Sequence, residues 1–175
     1  MVLKKIKWIF FILIGIIIAA MIVFIIFNNY FFIYTIKGKS MENALYNNDR
    51  ILIKKLHGRF TLSRFDIIIF QNKDKISKLM IKRVIGLPGD NIEIKKDNIF
   101  INGKTLKQSF LKEINEREIV KDPKDLSLLR IPENFLYLLG DNRELSKDSR
   151  SFGLIEKSQI IGKVLFSYWP FKIVN

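Results

Sequence analysis

Trp8 to Phe27 is an unbroken run of 20 residues with no charged or strongly polar side chain. Coiled as a helix at about 1.5 Å per residue, such a run reaches about 30 Å, the thickness of a bilayer's hydrocarbon core. Isoleucine is an indifferent helix former in water. In lipid, however, the backbone must satisfy its own hydrogen bonds, so a helix follows. A cleavable leader would have a shorter apolar core, roughly 7–15 residues, ending in an A-x-A-like site. Here Ile18-Ala19-Ala20 lies inside the run and offers isoleucine where a small residue is wanted. The sequence therefore predicts a retained anchor over 8–27. Lys4, Lys5 and Lys7 precede it, residues 8–36 carry no charge, and Asn28, Asn29 and Tyr30 follow. Positive charge stays on the cytoplasmic side. The expected topology is a single-pass cell-membrane protein with a cytoplasmic tail over 1–7 and an extracellular domain over 28–175.

The formal net charge is +13. An excess of this size fits nucleic acid or an anionic lipid surface. Beyond residue 36 the 27 Lys/Arg are interspersed with 17 Asp/Glu, as on a solvated surface. Cytoplasmic membrane lipids are the expected contact and nucleic acid is not. The chain has no cysteine, which excludes disulfides, thiol catalysis and Cys-type zinc sites. Its one histidine, His57, precedes Gly58 in a turn signal and reads as a surface loop residue; one histidine builds no His cluster for a metal. No metal or other cofactor is expected.

Residues 28–175 read as short strands with turn punctuation. The candidates are Tyr30 to Lys37, Asp49 to Lys54, Asp66 to Phe70, Leu79 to Ile85, Asn91 to Lys95, Ile99 to Ile101, Phe135 to Leu139 and Ile161 to Trp169. Asn102-Gly103 is a strong hairpin signal. The implied fold is an all-β domain, sandwich or barrel-like, behind one transmembrane helix. Residues 104–133 differ in character: Phe110 to Val120 is charged with a sparse apolar pattern, either a helix or an extended segment, and reads as a peripheral insertion.

Two residues are candidates for chemistry. A serine hydroxyl needs a base, and a lysine becomes one only where desolvation disfavours its ammonium form. In a strand over 79–85, Met80, Lys82 and Val84 share one face while Arg83 points to the other. Lys82 thus has apolar neighbours, and Ser40 in Gly38-Lys39-Ser40-Met41 is the candidate nucleophile. On its own this pattern also describes an edge lysine in water and an ordinary turn serine.

The ordered blocks say more. Ser40-Met41 with Leu45, Asp66 to Phe70, Lys82-Arg83-Val84-Ile85-Gly86-Leu87-Pro88-Gly89-Asp90, and Gly140-Asp141-Asn142-Arg143 with Ser146, Asp148, Ser149 and Arg150 together resemble the motif set of type I signal peptidases, in their compact Gram-positive form. The resemblance implies a membrane-anchored serine endopeptidase with a Ser/Lys dyad that cuts signal peptides from exported preproteins. Ser40 takes the place of the nucleophile and Lys82 of the base. It also implies a hydrogen bond from Ser146 to the lysine, a supporting Asp148/Arg150 ion pair, and a structural acid at Asp141 with Arg83 as partner. Small residues, typically alanine, are implied one and three positions before the cut, in shallow pockets lined in part by Met41. The substrate would lie extended near Lys78 to Met80, and Gly38 stands where some relatives carry a hydroxyl for the oxyanion. The chain departs from the family at Asn43 and Ala44, where proline and threonine are usual. That departure leaves a second reading, a non-catalytic or regulatory tethered protein that binds preproteins. A self-cleaving repressor or a pilus-maturation enzyme would also use a Ser/Lys pair, but the anchor argues against a soluble repressor.

Overall fold

Ile67–Gln71 begins with four consecutive apolar residues rather than an alternation, the mark of a strand covered on both faces. In the computed structural model, which describes residues 2–72, 79–95, 98–108 and 126–174, this segment lies inside an eight-stranded sheet. Ile67 and Ile69 enter one apolar cluster with Ile36, Met41, Leu45, Ile51, Ile53, Ile81 and Val164. Ile68 and Phe70 enter another, on the opposite face, with Val84, Leu136, Leu138, Ile155 and Ile160.

The chain begins with helix α1, Val2–Tyr30, which passes directly into strand β1, Phe31–Thr35. The strands that follow are β2 (Arg50–Lys55), β3 (Ile67–Gln71), β4 (Leu79–Gly86), β5 (Asn91–Lys95), β6 (Asn98–Ile101), β7 (Lys104–Thr105), β8 (Leu126–Arg130) and β9 (Phe135–Leu139). After them come the one-turn helix α2 (Ser149–Phe152), β10 (Ile155–Glu156), β11 (Ile160–Trp169) and β12 (Phe171–Ile173). The larger sheet runs β1-β2-β11-β3-β4-β9-β10, with β12 folded back on β11. The smaller runs β7-β6-β5-β8. All the pairings are antiparallel. The domain is all-β, with its second sheet joined to the first through a cluster that unites Ile92, Ile94, Ile99 and Ile101 with Ile85, Tyr137 and Leu139.

Each expected strand is present to within a residue or two. Asn102 and Gly103 both have positive φ, 52° and 76°, as a two-residue turn between twisted strands requires. The described flanks of the supposed insertion belong to the smaller sheet: Lys104–Thr105 returns along β6, and Leu126–Arg130 pairs with β5. Phe110 to Val120 lies outside the described residues, as does Lys78. Trp8–Tyr30 is long and apolar enough to cross a membrane, and none of this 23-residue span is buried against the rest of the protein.

Candidate active site

β4 is the strand from which the site is built. It pairs with β3 so that Lys82 stands opposite Ile68 and Met80 opposite Phe70, and with β9 so that Val84 stands opposite Leu138. Met80, Lys82 and Val84 therefore project to the same apolar face. Lys82 is only 2% exposed. Arg83, one residue on, projects to the other face and is 0% exposed.

Ser40 arrives from the segment after β1. Lys39 to Leu45 forms a tight double turn, with Glu42 N–H donating to the Lys39 carbonyl (3.1 Å) and Leu45 N–H to the Met41 carbonyl (2.8 Å). Met41 and Leu45 are buried in the core and pin that turn. Gly38, at φ 102°, donates its N–H to Asn47 Oδ1 at 2.9 Å. The half-buried Ser40 is thus presented from a fixed turn, and Lys82 Nζ lies in a hydrogen bond with Ser40 Oγ at 2.6 Å, across 42 positions of sequence.

The Gly140 to Arg150 loop closes around this pair. Asn142 N–H donates to the Ser40 carbonyl at 3.2 Å, which fixes the peptide plane following the serine. Gly140 packs so closely that a Cβ there would overlap Ser146 Oγ and the Ser40 carbonyl oxygen. Asp141 accepts from Arg83 Nε at 2.9 Å and from Arg83 Nη2 at 2.7 Å, a two-pronged ion pair in the interior. Arg83 Nη1 donates to the Phe65 carbonyl at 3.0 Å.

Asp148, fully buried, caps α2 and accepts from Gly140 N–H at 3.1 Å as well as from Arg150 Nε at 2.8 Å and Nη2 at 2.9 Å. Arg150 in turn donates to the Arg143 carbonyl at 2.6 Å. Arg143 reaches the Gly140 carbonyl at 3.0 Å and also bonds Gln108 Oε1. Burial, and secondarily the neighbouring Arg150, lowers the Arg143 guanidinium to about 10, so it stays cationic at neutral pH.

Ser146 Oγ is buried against Gly140 and, among the described residues, makes no hydrogen bond; the bond to Lys82 that the sequence led us to expect is not formed in this structure. The loop holds Ser146 in place instead through its backbone, whose carbonyl accepts from Arg150 Nη2 at 3.5 Å.

A cavity of about 300 Å³ opens over Ser40 and Lys82. Gly38, Ser40, Met41, Met80 and Lys82 all line it, so the three residues expected to contact substrate sit with the two expected to react. Beyond the Lys78 to Met80 stretch, sequence reasoning missed the rest of the lining, notably Tyr34, Ile36, Ile81 and Leu145. The period-two spacing of Tyr34/Ile36 and of Leu79/Ile81 was a signal that could have found three of them. Alongside the cavity, β9 pairs with β4 only from Arg83 onward. Among the described residues, β4 therefore has a stretch from Leu79 to Lys82 whose edge away from β3 carries no strand.

The model for signal peptidases of the peptidase S26 type matches residues 5–169. The chain belongs to that family. It is accordingly a peptide-bond hydrolase of the serine type. It is 39% identical over 147 residues to a signal peptidase I of Bacillus caldolyticus, covering 79% of this chain and 80% of that one. It is 37% identical over 181 residues to a signal peptidase IB of Staphylococcus aureus, covering 96% of this chain and 91% of that one. A crystal structure of a signal peptidase I from Enterococcus faecalis superposes with a TM-score of 0.51 at 32% identity, spanning 61% of this chain and 98% of the other.

Proposed function

We propose that this peptidase is anchored by α1 in the cytoplasmic membrane, with residues 1–7 inside and 28–175 outside, and that it removes signal peptides from exported preproteins with Ser40 as nucleophile and Lys82 as base. The observation that carries the reading is the 2.6 Å approach of Lys82 Nζ to Ser40 Oγ within a buried apolar face. Burial disfavours the ammonium form. The neutral amine then accepts the hydroxyl proton along that line as Oγ attacks the scissile carbonyl. Lys82, now protonated, gives the proton to the departing amine, and the acyl-enzyme is hydrolysed by water activated at the same nitrogen. The Ser40 N–H is the natural donor to the developing oxyanion.

An extended substrate fits by strand addition along the Leu79 to Lys82 edge of β4, beside which no strand lies among the described residues. The apolar lining beneath it favours small uncharged side chains at the alternate positions facing inward. The Ser146 hydroxyl is buried beside Gly140 without a hydrogen-bond partner among the described residues, and its role in this reading is to bond the lysine during turnover. Ser146→Ala should therefore lower turnover at saturating substrate with little change in KM.

The lysine-rich tail supports the orientation, because short basic segments remain on the cytoplasmic side. The span has no protein surface to cover it. Protease added to intact protoplasts should remove the β-domain, and full protection there would overturn the topology. The central experiment is cleavage of a model preprotein by the purified wild type and by Ser40→Ala. Loss of cutting in the variant is expected. Cutting by neither would favour a tethered binding protein, and equal cutting by both would displace Ser40 from its role.

A further inference from the structure

The last four carbonyls of any helix lack partners within it, and they carry the negative end of the helix dipole. Helix α1 has no basic residue of its own in its last turn. The partners come instead from the end of a strand and the loop after it, 27 and 28 residues further on. Lys55, the last residue of β2, donates from Nζ to the Asn28 carbonyl at 2.8 Å. His57 Nε2 lies 3.4 Å from the Asn29 carbonyl. The Phe27 and Phe31 rings stack across the junction at 5.2 Å between centroids.

β1 continues α1 with no intervening loop, so without these contacts the helix would be joined to the domain by one rotatable connection at Tyr30–Phe31. With them it is held at separate points on two strands. Lys55 is itself fixed by the sheet, standing opposite Gly162 of β11, while its neighbour Lys54 stands opposite Phe31. A Cβ on Gly162 would overlap Ile53 and the Lys54 carbonyl, so β2 and β11 are closely apposed there.

The cavity lies at the opposite end of β1, lined by Tyr34 and Ile36. Five strand residues at about 3.3 Å each separate the helix end from it by about 17 Å. The attitude of the helix against β1 and β2 thus sets how high above the helix end Ser40 is carried. We infer that Lys55 and His57 are positioning residues: they lock the anchor to the peptidase domain, so that the enzyme selects substrates by the distance between their own apolar segment and the bond to be cut. This rests on the peptidase reading above. It adds the two side chains that couple the anchor to the domain, and it gives the lone histidine a place in that coupling.

The test uses the full chain in liposomes, with a series of membrane-anchored substrates in which the same cut sequence lies progressively further from the apolar segment. A short water-soluble peptide bearing that sequence is the control. The wild type should cut one spacing best and fall off when the site moves by three residues, about 10 Å. Lys55→Ala/His57→Ala should flatten that profile and lower kcat/KM at the best spacing roughly five- to ten-fold, the size expected for loss of a helix-end cation. Its kcat/KM on the soluble peptide should stay within about two-fold of wild type. Lys55→Arg, which keeps a donor at the helix end, should retain the wild-type profile. An unchanged spacing profile in the double variant would overturn the inference. So would a parallel loss on the soluble peptide, which would mean that these residues only hold the domain together. Failure of the wild type to cut either substrate would refute the peptidase reading itself.

Discussion

Asp141→Ala should be among the most damaging single changes outside the Ser40–Lys82 pair. Arg83 is wholly buried, and two of its N–H groups meet the Asp141 carboxylate at 2.7 and 2.9 Å. Removing the carboxylate leaves a guanidinium in the interior without its neutralising charge. Breaking such a pair from one side costs about 3–5 kcal/mol, against a total stability of about 5–15 kcal/mol for a domain. For a β-domain of this size each kcal/mol moves the midpoint by about 3 °C, so a fall of about 10 °C is expected. Replacing both members by apolar residues of similar volume, Arg83→Met with Asp141→Leu, should recover most of that loss, because the desolvation of both charges is avoided. The recovery should be of stability only. Asp141 also holds the backbone next to Asn142, whose N–H orients the Ser40 carbonyl, so activity should recover less than the melting temperature. The assay is thermal unfolding of the detergent-solubilised chain followed by near-ultraviolet circular dichroism, with peptide cleavage alongside. A cost below about 1 kcal/mol for Asp141→Ala, or a double variant no more stable than the single, would refute the reasoning.

Arginine stays charged at any accessible pH, so Lys82→Arg should be as inactive as Lys82→Ala, and wild-type cleavage should rise with pH as the neutral amine forms; substantial turnover by Lys82→Arg would require another base. Asn43 has φ 113°, a backbone that proline cannot adopt and glycine adopts freely. Asn43→Gly should therefore be neutral or slightly stabilising in melting experiments, whereas Asn43→Pro should destabilise and reduce cleavage. Burial works against the Asp90 carboxylate, but the bonds from Arg64, Leu87 N–H and Asn102 outweigh it and hold its pKa below the ordinary 3.8. A lowered folded value contributes stability that is fully present above the unfolded pKa and is lost as pH falls through the folded one. The stability gap between wild type and Asp90→Asn should accordingly be constant at neutral pH and shrink below about pH 3.8; a gap that stays constant down to pH 2 would contradict this.

What was legible in the sequence was what period and punctuation encode. The Ile67 to Phe70 run marked a strand covered on both sides, and alternation put Lys82 and Arg83 on opposite faces of β4. The hairpin at Asn102-Gly103 was equally plain. Short elements escaped because they contain too few residues to show a period: β10 and β12 are two and three residues long, and α2 is one turn. Asp148 read as half of an ion pair, but the structure also makes it the cap of α2 and the acceptor for Gly140 N–H, backbone roles that spacing does not reveal. His57 is the exposed loop residue that the sequence indicated, but its neighbour, the Asn29 carbonyl, is 28 positions away and no spacing reveals it. Ser146 was found through resemblance alone, and its missing bond to Lys82 is a matter of side-chain placement that no sequence pattern fixes.

The order of strands in the larger sheet bears on when this enzyme can first act. β11, residues 160–169, lies between β2 and β3. Ser40 hangs from the β1–β2 side of it and Lys82 from the β3–β4 side. β11 is thus the strand through which the sheet joins the Ser40 side to the Lys82 side, whose side chains meet at 2.6 Å. Pairings this distant in sequence form late and slowly. A chain shortened before β11 would hold Ser40 and Lys82 but lack the strand that joins their two halves of the sheet, leaving the Asn142 N–H bond to the Ser40 carbonyl as a remaining link between them.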